Sequence, residues 1–154
     1  MESFRLTELF HLLGVTIFLG NFIVTTLWKA LADRTGQPAV IAYAQRLVTV
    51  TDISLTATGA LLVCITAWEL ESYFGDSSQI LWMTLAWRFL LASLVIWLFA
   101  LIPLQLKQAR LVRECQAREN LPEDYYVLSR YWLALRSIAT VLPLANFYLM
   151  VFKP

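Results

Sequence analysis

Apolar residues fill four long stretches of the chain, at about positions 9–28, 47–68, 80–104 and 132–152, and polar residues recur inside each at helical spacing. A helix crosses a hydrocarbon core of about 30 Å in about 20 residues. Each stretch meets that length, so the pattern predicts four transmembrane helices. On the first, His11, Gly14, Phe18, Asn21, Thr25 and Trp28 follow at intervals of three and four, which places them on one helix face. The second carries Asp52, Thr56, Gly59, Val63 and Thr66 in the same rhythm. The third offers Thr84, Arg88, Ala92 and Val95, and the fourth Arg136, Thr140, Pro143, Asn146 and Met150. Small and polar residues suit helix contacts in lipid, where backbones approach closely and side chains hydrogen-bond across. The stripes therefore read as the inward faces of one bundle, with Asn21, Thr25 and Thr56 among its interior polar groups. The expected fold class is all-α: a four-helix membrane bundle forming one domain over residues 1–154.

Charge outside the stretches sets an orientation. The first connection and its flanking helix ends hold Lys29, Arg34 and Arg46, and the third holds Lys107, Arg110, Arg113, Arg118 and Arg130. The second holds Glu69, Glu71 and Asp76 and no base, while the termini add only Arg5 and Lys153. The positive-inside rule then puts loops one and three in the cytoplasm and both termini outside. Trp28 and Trp132 fall at the inner borders, and Trp68 and Trp82 at the outer ones, where amphipathic rings are favoured. Trp87 and Trp97 lie deeper and read as packing residues. Helix formers continue from Gln105 to Glu119 until Asn120-Leu121-Pro122, and Glu123 and Asp124 suit a fresh first turn. The third and fourth helices are thus expected to extend into the cytoplasm, as a solvated charged stalk or a hairpin that docks a partner. The leading MESFRLTELF mixes both charges and precedes a run of full span length, so the first stretch reads as a retained span.

Composition narrows the function classes. The hydrophobic fraction of 59% exceeds the about 45–50% of ordinary globular chains, as a membrane protein requires. Eleven acidic and twelve basic residues nearly cancel and no basic cluster stands out, which argues against nucleic acid as a partner. Cys64 falls in a span and Cys115 beyond another, too far apart for a disulfide and without a CxxC spacing. No P-loop, GxGxxG or Ser-His-Asp pattern is present.

The ionisable residues within the spans carry the candidate chemistry, because a charge in hydrocarbon normally faces the interior and pairs. Asp52 and Arg136 each sit roughly 8 Å from the inner border at 1.5 Å per residue. They read either as an ion pair fixing helices two and four or as a proton or anion site. Arg88 lies roughly 12 Å below the outer border, with Asn146 at its level. Hydrogen bonds to Asn146 and backbone carbonyls would satisfy it, and so would an anionic ligand such as a carboxylate, a lipid phosphate or a haem propionate. His11, the single histidine, reads as a hydrogen-bonded border residue or as a haem ligand. Ligation by two histidines would need a dimer; otherwise the second ligand must be of another kind. No second His or carboxylate cluster supports a non-haem metal site.

The run HLLGVTIFLGNFIVTTLWKALADRTG (11–36), Thr51-Asp52, TATG (56–59) and SLVIWLFALIPLQLKQARL (93–111) resemble a bacterial integral membrane family catalogued as domain of unknown function 2269. That resemblance implies a four-helix protein of the bacterial inner membrane and no particular chemistry. A span-one histidine followed by small residues is also distantly similar to HemJ-type protoporphyrinogen oxidases and CopD-type copper-resistance proteins. In the HemJ type, that His and a later Lys are associated with haem b. Only His11 matches here, and Trp87-Arg88 stands where the Lys would be, so oxidase activity does not carry over. Three methionines and one histidine are few for a copper path.

The leading expectation is a multi-pass inner-membrane protein binding haem b between its helices. His11 would be the axial ligand, Arg88 and Asn146 would meet the anionic edge, and the role would be small-scale redox or haem handling in a dimer. The alternative is a non-catalytic accessory subunit with a membrane partner. A third option is a small transporter or channel using Asp52, Arg88 and Arg136. Whether the chain is an enzyme stays open.

Overall fold

The computed structural model describes residues 2–74, 80–115 and 121–153. They form four long helices and, among the described residues, no strand: α1 Glu2–Thr35, α2 Pro38–Glu71, α3 Leu81–Glu114 and α4 Glu123–Phe152. All four are long and apolar enough to cross a membrane. Asp76 of the second loop, Arg118 of the third, and the expected helix over 116–119 with its break at Asn120 lie outside the described residues.

Local chemistry explains the helix ends. Gly36 takes φ of 65°, a left-handed conformation that glycine adopts without steric cost, and it stops α1. Pro38 then stands in the first turn of α2, where its missing N–H would have had no helical partner anyway. Pro122 is the N-cap of α4, with Glu123 and Asp124 in the first turn beside the positive end of the helix dipole. Two helices contain a widened π-helical turn, Asp52–Thr56 in α2 and Trp97–Leu101 in α3. The second lies just before Pro103, whose ring would press on the carbonyl four residues back in a regular helix, and the wider turn relieves that clash.

Helices α1 and α2 form the tightest pair. Their stripes mesh antiparallel: His11 meets Thr66, Gly14 meets Val63, Phe18 meets Gly59 and Asn21 meets Thr56. A Cβ on Gly59 would lie 2.8 Å from the Phe18 backbone nitrogen and 3.1 Å from the Gly14 carbonyl oxygen. Only glycine lets the backbones come this close. Phe18, Phe22, Val48, Ala60, Leu101, Trp132 and Ala139 make the main apolar core, to which every helix contributes.

The structure revises three expectations. The inward face of α3 is Met83, Ala86, Leu90 and Ser93, not the stripe through Arg88. Arg88 is two residues from both Ala86 and Leu90, so at about 100° per residue it points away from the bundle; it is exposed, as are Ala92 and Val95. Trp132 is fully buried in the core instead of lying at a border. The extensions of α3 and α4 are not a solvated stalk, because Ile41, Val112, Cys115, Leu121 and Tyr125 pack there as a second apolar cluster. Both cysteines are free thiols.

Close packing at Gly59 sets a test. Gly59→Ala must push α1 and α2 apart and is expected to destabilise by about 1–3 kcal/mol, the usual cost of overpacking. Gly20→Ala, with nothing within 4 Å of the added carbon, should keep stability or raise it slightly, since alanine is the better helix former. Thermal unfolding of both variants in one detergent, followed by tryptophan fluorescence, compares them directly.

Candidate functional site

The charged groups inside the bundle and the single histidine fall into three clusters, stacked along α1 from Asp33 through Asn21 to His11. The middle one is built on Asp52, at the start of the widened turn of α2. Arg136 on α4 grips its carboxylate with both terminal nitrogens, Nη2 to Oδ1 at 2.8 Å and Nη1 to Oδ2 at 3.1 Å. Asn21 Nδ2 and Thr56 Oγ1 each donate to Oδ1 at 3.0 Å, and Gln105 Nε2 donates to Oδ2 at 2.6 Å. Thr25 Oγ1 gives its proton to the Asn21 carbonyl and accepts from Arg136 Nη2 at 2.7 Å. The guanidinium also stacks 3.9 Å over the Phe22 ring, a cation–π contact that desolvation strengthens. Asp52 and Arg136 are 1% and 0% exposed, so neither charge has recourse to water.

This core joins all four helices through one carboxylate. Five donors saturate its two oxygens, leaving Asp52 no free lone pair to offer a substrate. Removing one member of a buried pair strands the other charge, which is the strongly destabilising case.

Nearer the α1–α2 and α3–α4 connections, Lys29 is 1% exposed and donates to Tyr125 Oη at 2.8 Å and to Asp33 Oδ2 at 3.3 Å. Tyr125 Oη in turn donates to Asp33 Oδ1 at 2.7 Å, and Ser129 Oγ donates to Asp33 Oδ2. The network ties α1 to α4 at the basic end of the bundle. Sequence reasoning counted Lys29 as a loop charge and passed over Asp33, Tyr125, Ser129 and Gln105. A signal did exist: the rhythm of three and four on α1 continues past Thr25 to Lys29 and Ala32, and on α3 past Leu101 to Gln105, Gln108 and Val112.

The third cluster opens a cleft at the end where the two termini lie. His11 is buried, and its Nδ1 lies 2.9 Å from Thr66 Oγ1. The Thr66 hydroxyl proton goes to the Leu62 carbonyl at 2.6 Å, so the hydroxyl accepts from His11 and Nδ1 carries the ring proton. That tautomer leaves Nε2 with a lone pair. His11 lines a largely apolar cavity of about 280 Å³ together with Trp82, Trp87, Met83, Met150 and Asn146, with Lys153 at its edge. Asn146 donates Nδ2 to the Ala86 carbonyl at 3.1 Å, and its buried Oδ1 has no hydrogen-bond partner among the described residues. Trp87 Nε1 is engaged with Glu71 Oε2 at 2.9 Å.

Of the residues singled out from sequence, Asn21, Thr25, Thr56, Asp52 and Arg136 meet in the ionic core. His11 and Asn146 share the cleft. Arg88 joins neither, since α3 turns it outward and no hydrogen bond or ion pair holds it among the described residues. No group of three or more His, Cys, Asp or Glu side chains stands ready for a bare metal ion among the described residues.

The family described as Predicted integral membrane protein (DUF2269) matches residues 5–154, nearly the whole chain, and the chain belongs to it. No curated protein and no solved structure matches the chain.

The ionic core yields a double-substitution test. Asp52→Ala or Arg136→Ala alone is expected to cost about 3–5 kcal/mol, because the partner charge is left uncompensated. Asp52→Asn with Arg136→Gln removes both charges and should recover much of that loss. The checking measurement is the unfolding temperature and the monodisperse yield of all three variants on size exclusion.

Proposed function

We propose that this member of the DUF2269 family is a multi-pass membrane protein whose working site is the His11 cleft, and that the cleft holds haem b. One observation carries the reading: Thr66 holds the proton on His11 Nδ1, which leaves Nε2 as a lone-pair nitrogen at an apolar, tryptophan-walled cavity. An imidazole steadied through its other nitrogen is how proteins prepare a histidine to bind iron. Met83 and Met150 line the same cavity, so a thioether of the same chain would help His11 hold the iron. A dimer is then not required for ligation. Lys153 takes the propionate role first given to Arg88, and Asn146 lines the same cavity. Bound haem supplies one-electron redox chemistry; the chain supplies the ligands, the aromatic walls and the exclusion of water.

In this reading the basic end of the bundle, with Lys29, Asp33 and the packed ends of α3 and α4, faces the cytoplasm of a bacterial cell. The cleft then opens towards the outer leaflet of the inner membrane. A non-catalytic subunit is the second reading. It is favoured by the saturated Asp52 core, which has the form of a helix clamp with nothing left to react. A transporter built on Asp52, Arg88 and Arg136 lacks support, since Arg88 stands on the opposite side of α3 from the other two.

Protein purified in mild detergent from haem-replete cells is expected to show a Soret band, with sharp α and β bands after dithionite. His11→Ala should abolish them while leaving the elution volume unchanged. A colourless wild-type protein would overturn the haem assignment, and a stoichiometric co-purifying membrane protein would then favour the subunit reading.

A further inference from the structure

Three side chains within the four apolar stretches are charged: Asp52, Arg88 and Arg136. Two neutralise each other in the core. Arg88 is exposed and makes no hydrogen bond or ion pair among the described residues. Its face of α3 carries Leu81, Leu91 and Val95, which are 71%, 53% and 54% exposed. This is a lipid-facing surface with one guanidinium in it.

A charge so placed is costly in hydrocarbon and needs an anion or a route to the interface. Arg88 lies seven residues below Leu81, so its Cα is about 10 Å down the helix, with the half-thickness of the core about 15 Å. The Cα–Cβ bond of a helical residue tilts towards the helix N-terminus. On α3 that direction leads back past Thr84 to Leu81 and Trp82, the nearer membrane border, so the side chain reaches towards headgroups and not towards the bilayer centre.

We propose that Arg88 binds the phosphate of an anionic phospholipid in the leaflet on the side of the termini. Guanidinium pairs bidentately with phosphate, and a headgroup without its own ammonium leaves that phosphate uncontested. A second copy of the chain is a poor occupant. Among the described residues of the four stretches the only acid is Asp52, which is buried and paired, and a two-fold contact through this face would set Arg88 against Arg88.

The test is native mass spectrometry of the detergent-solubilised protein offered equal amounts of phosphatidylglycerol and phosphatidylcholine. Wild type should retain phosphatidylglycerol several-fold in preference, Arg88→Leu should lose the preference, and Arg88→Lys should keep part of it. Arg88 makes no hydrogen bond or ion pair among the described residues, so the Leu variant should elute and unfold like wild type; if it does not fold, Arg88→Gln is measured in its place. Equal retention of the two lipids by wild type, or unchanged phosphatidylglycerol binding in the uncharged variant, overturns the proposal. Loss of a co-purifying membrane protein from the variant, with lipid retention unchanged, also overturns it and assigns the face to a partner helix.

Discussion

The bidentate contact between Arg136 and Asp52 is the interaction around which the bundle is organised. Helices in lipid gain little from hiding apolar surface, because the surrounding chains are as apolar as leucine. Close packing and polar contacts must choose the arrangement instead. A carboxylate on α2 and a guanidinium on α4 can be carried into hydrocarbon only together, and the oxygens they leave open must be filled by further donors. Asn21 on α1 and Gln105 on α3 fill them, so every helix is committed by one charge pair. Displacing any helix would expose a polar atom with no water to receive it.

That core is separated from the cleft by a dry layer. His11 and Asn21 are ten residues apart on α1, about 15 Å along the axis, and between them Gly14, Phe18, Gly59 and Val63 pack with backbones in near contact. No polar side chain of the α1 or α2 stripe stands in that interval. The lower cluster, with Lys29, Asp33 and Tyr125, is also internally satisfied. The ionic and phenolic groups hold the bundle together, while His11 lines the cleft with a lone-pair nitrogen. Any chemistry of the chain is better placed there than at its most conspicuous charges.

Much of the fold was legible from polar punctuation. The stripes of α1, α2 and α4 stand out because small and polar residues mark them, and the antiparallel meeting of Asn21 with Thr56 follows from their spacing. The nearness of Asp52 and Arg136 follows from equal depth. On α3 the same logic failed for a physical reason. Its inward face of Met83, Ala86, Leu90 and Ser93 is nearly as apolar as its lipid face, and in a membrane hydrophobicity does not tell inside from outside. Arg88, the one conspicuous residue, lay on the wrong side. Lys29 was missed because counting bases for orientation treats each as wet, although a lysine can be buried when a carboxylate and a phenol receive its protons. The cleft depends on side chains from all four helices that no single-helix pattern brings together.

The contrast between Arg88 and Arg136 shows how depth and direction decide the fate of an intramembrane charge. Arg136 lies one helical turn beyond Trp132 on α4, and its side chain turns into the bundle, where Asp52 stands level with it. Its charge is settled inside the chain. Arg88 belongs to a helix whose N-terminus is the nearer border, so the tilt of its Cβ carries the charge outward along the helix surface. Its face is flanked by leucines and offers no acid of its own among the described residues. With Asp52 used by Arg136 and the inward face of α3 filled by Met83, Ala86 and Leu90, an inward Arg88 would have been a buried cation without a counter-ion. Turning it to the lipid leaves the core neutral. It also gives the bundle a fixed positive point on one face, and that point must be met by something outside the chain.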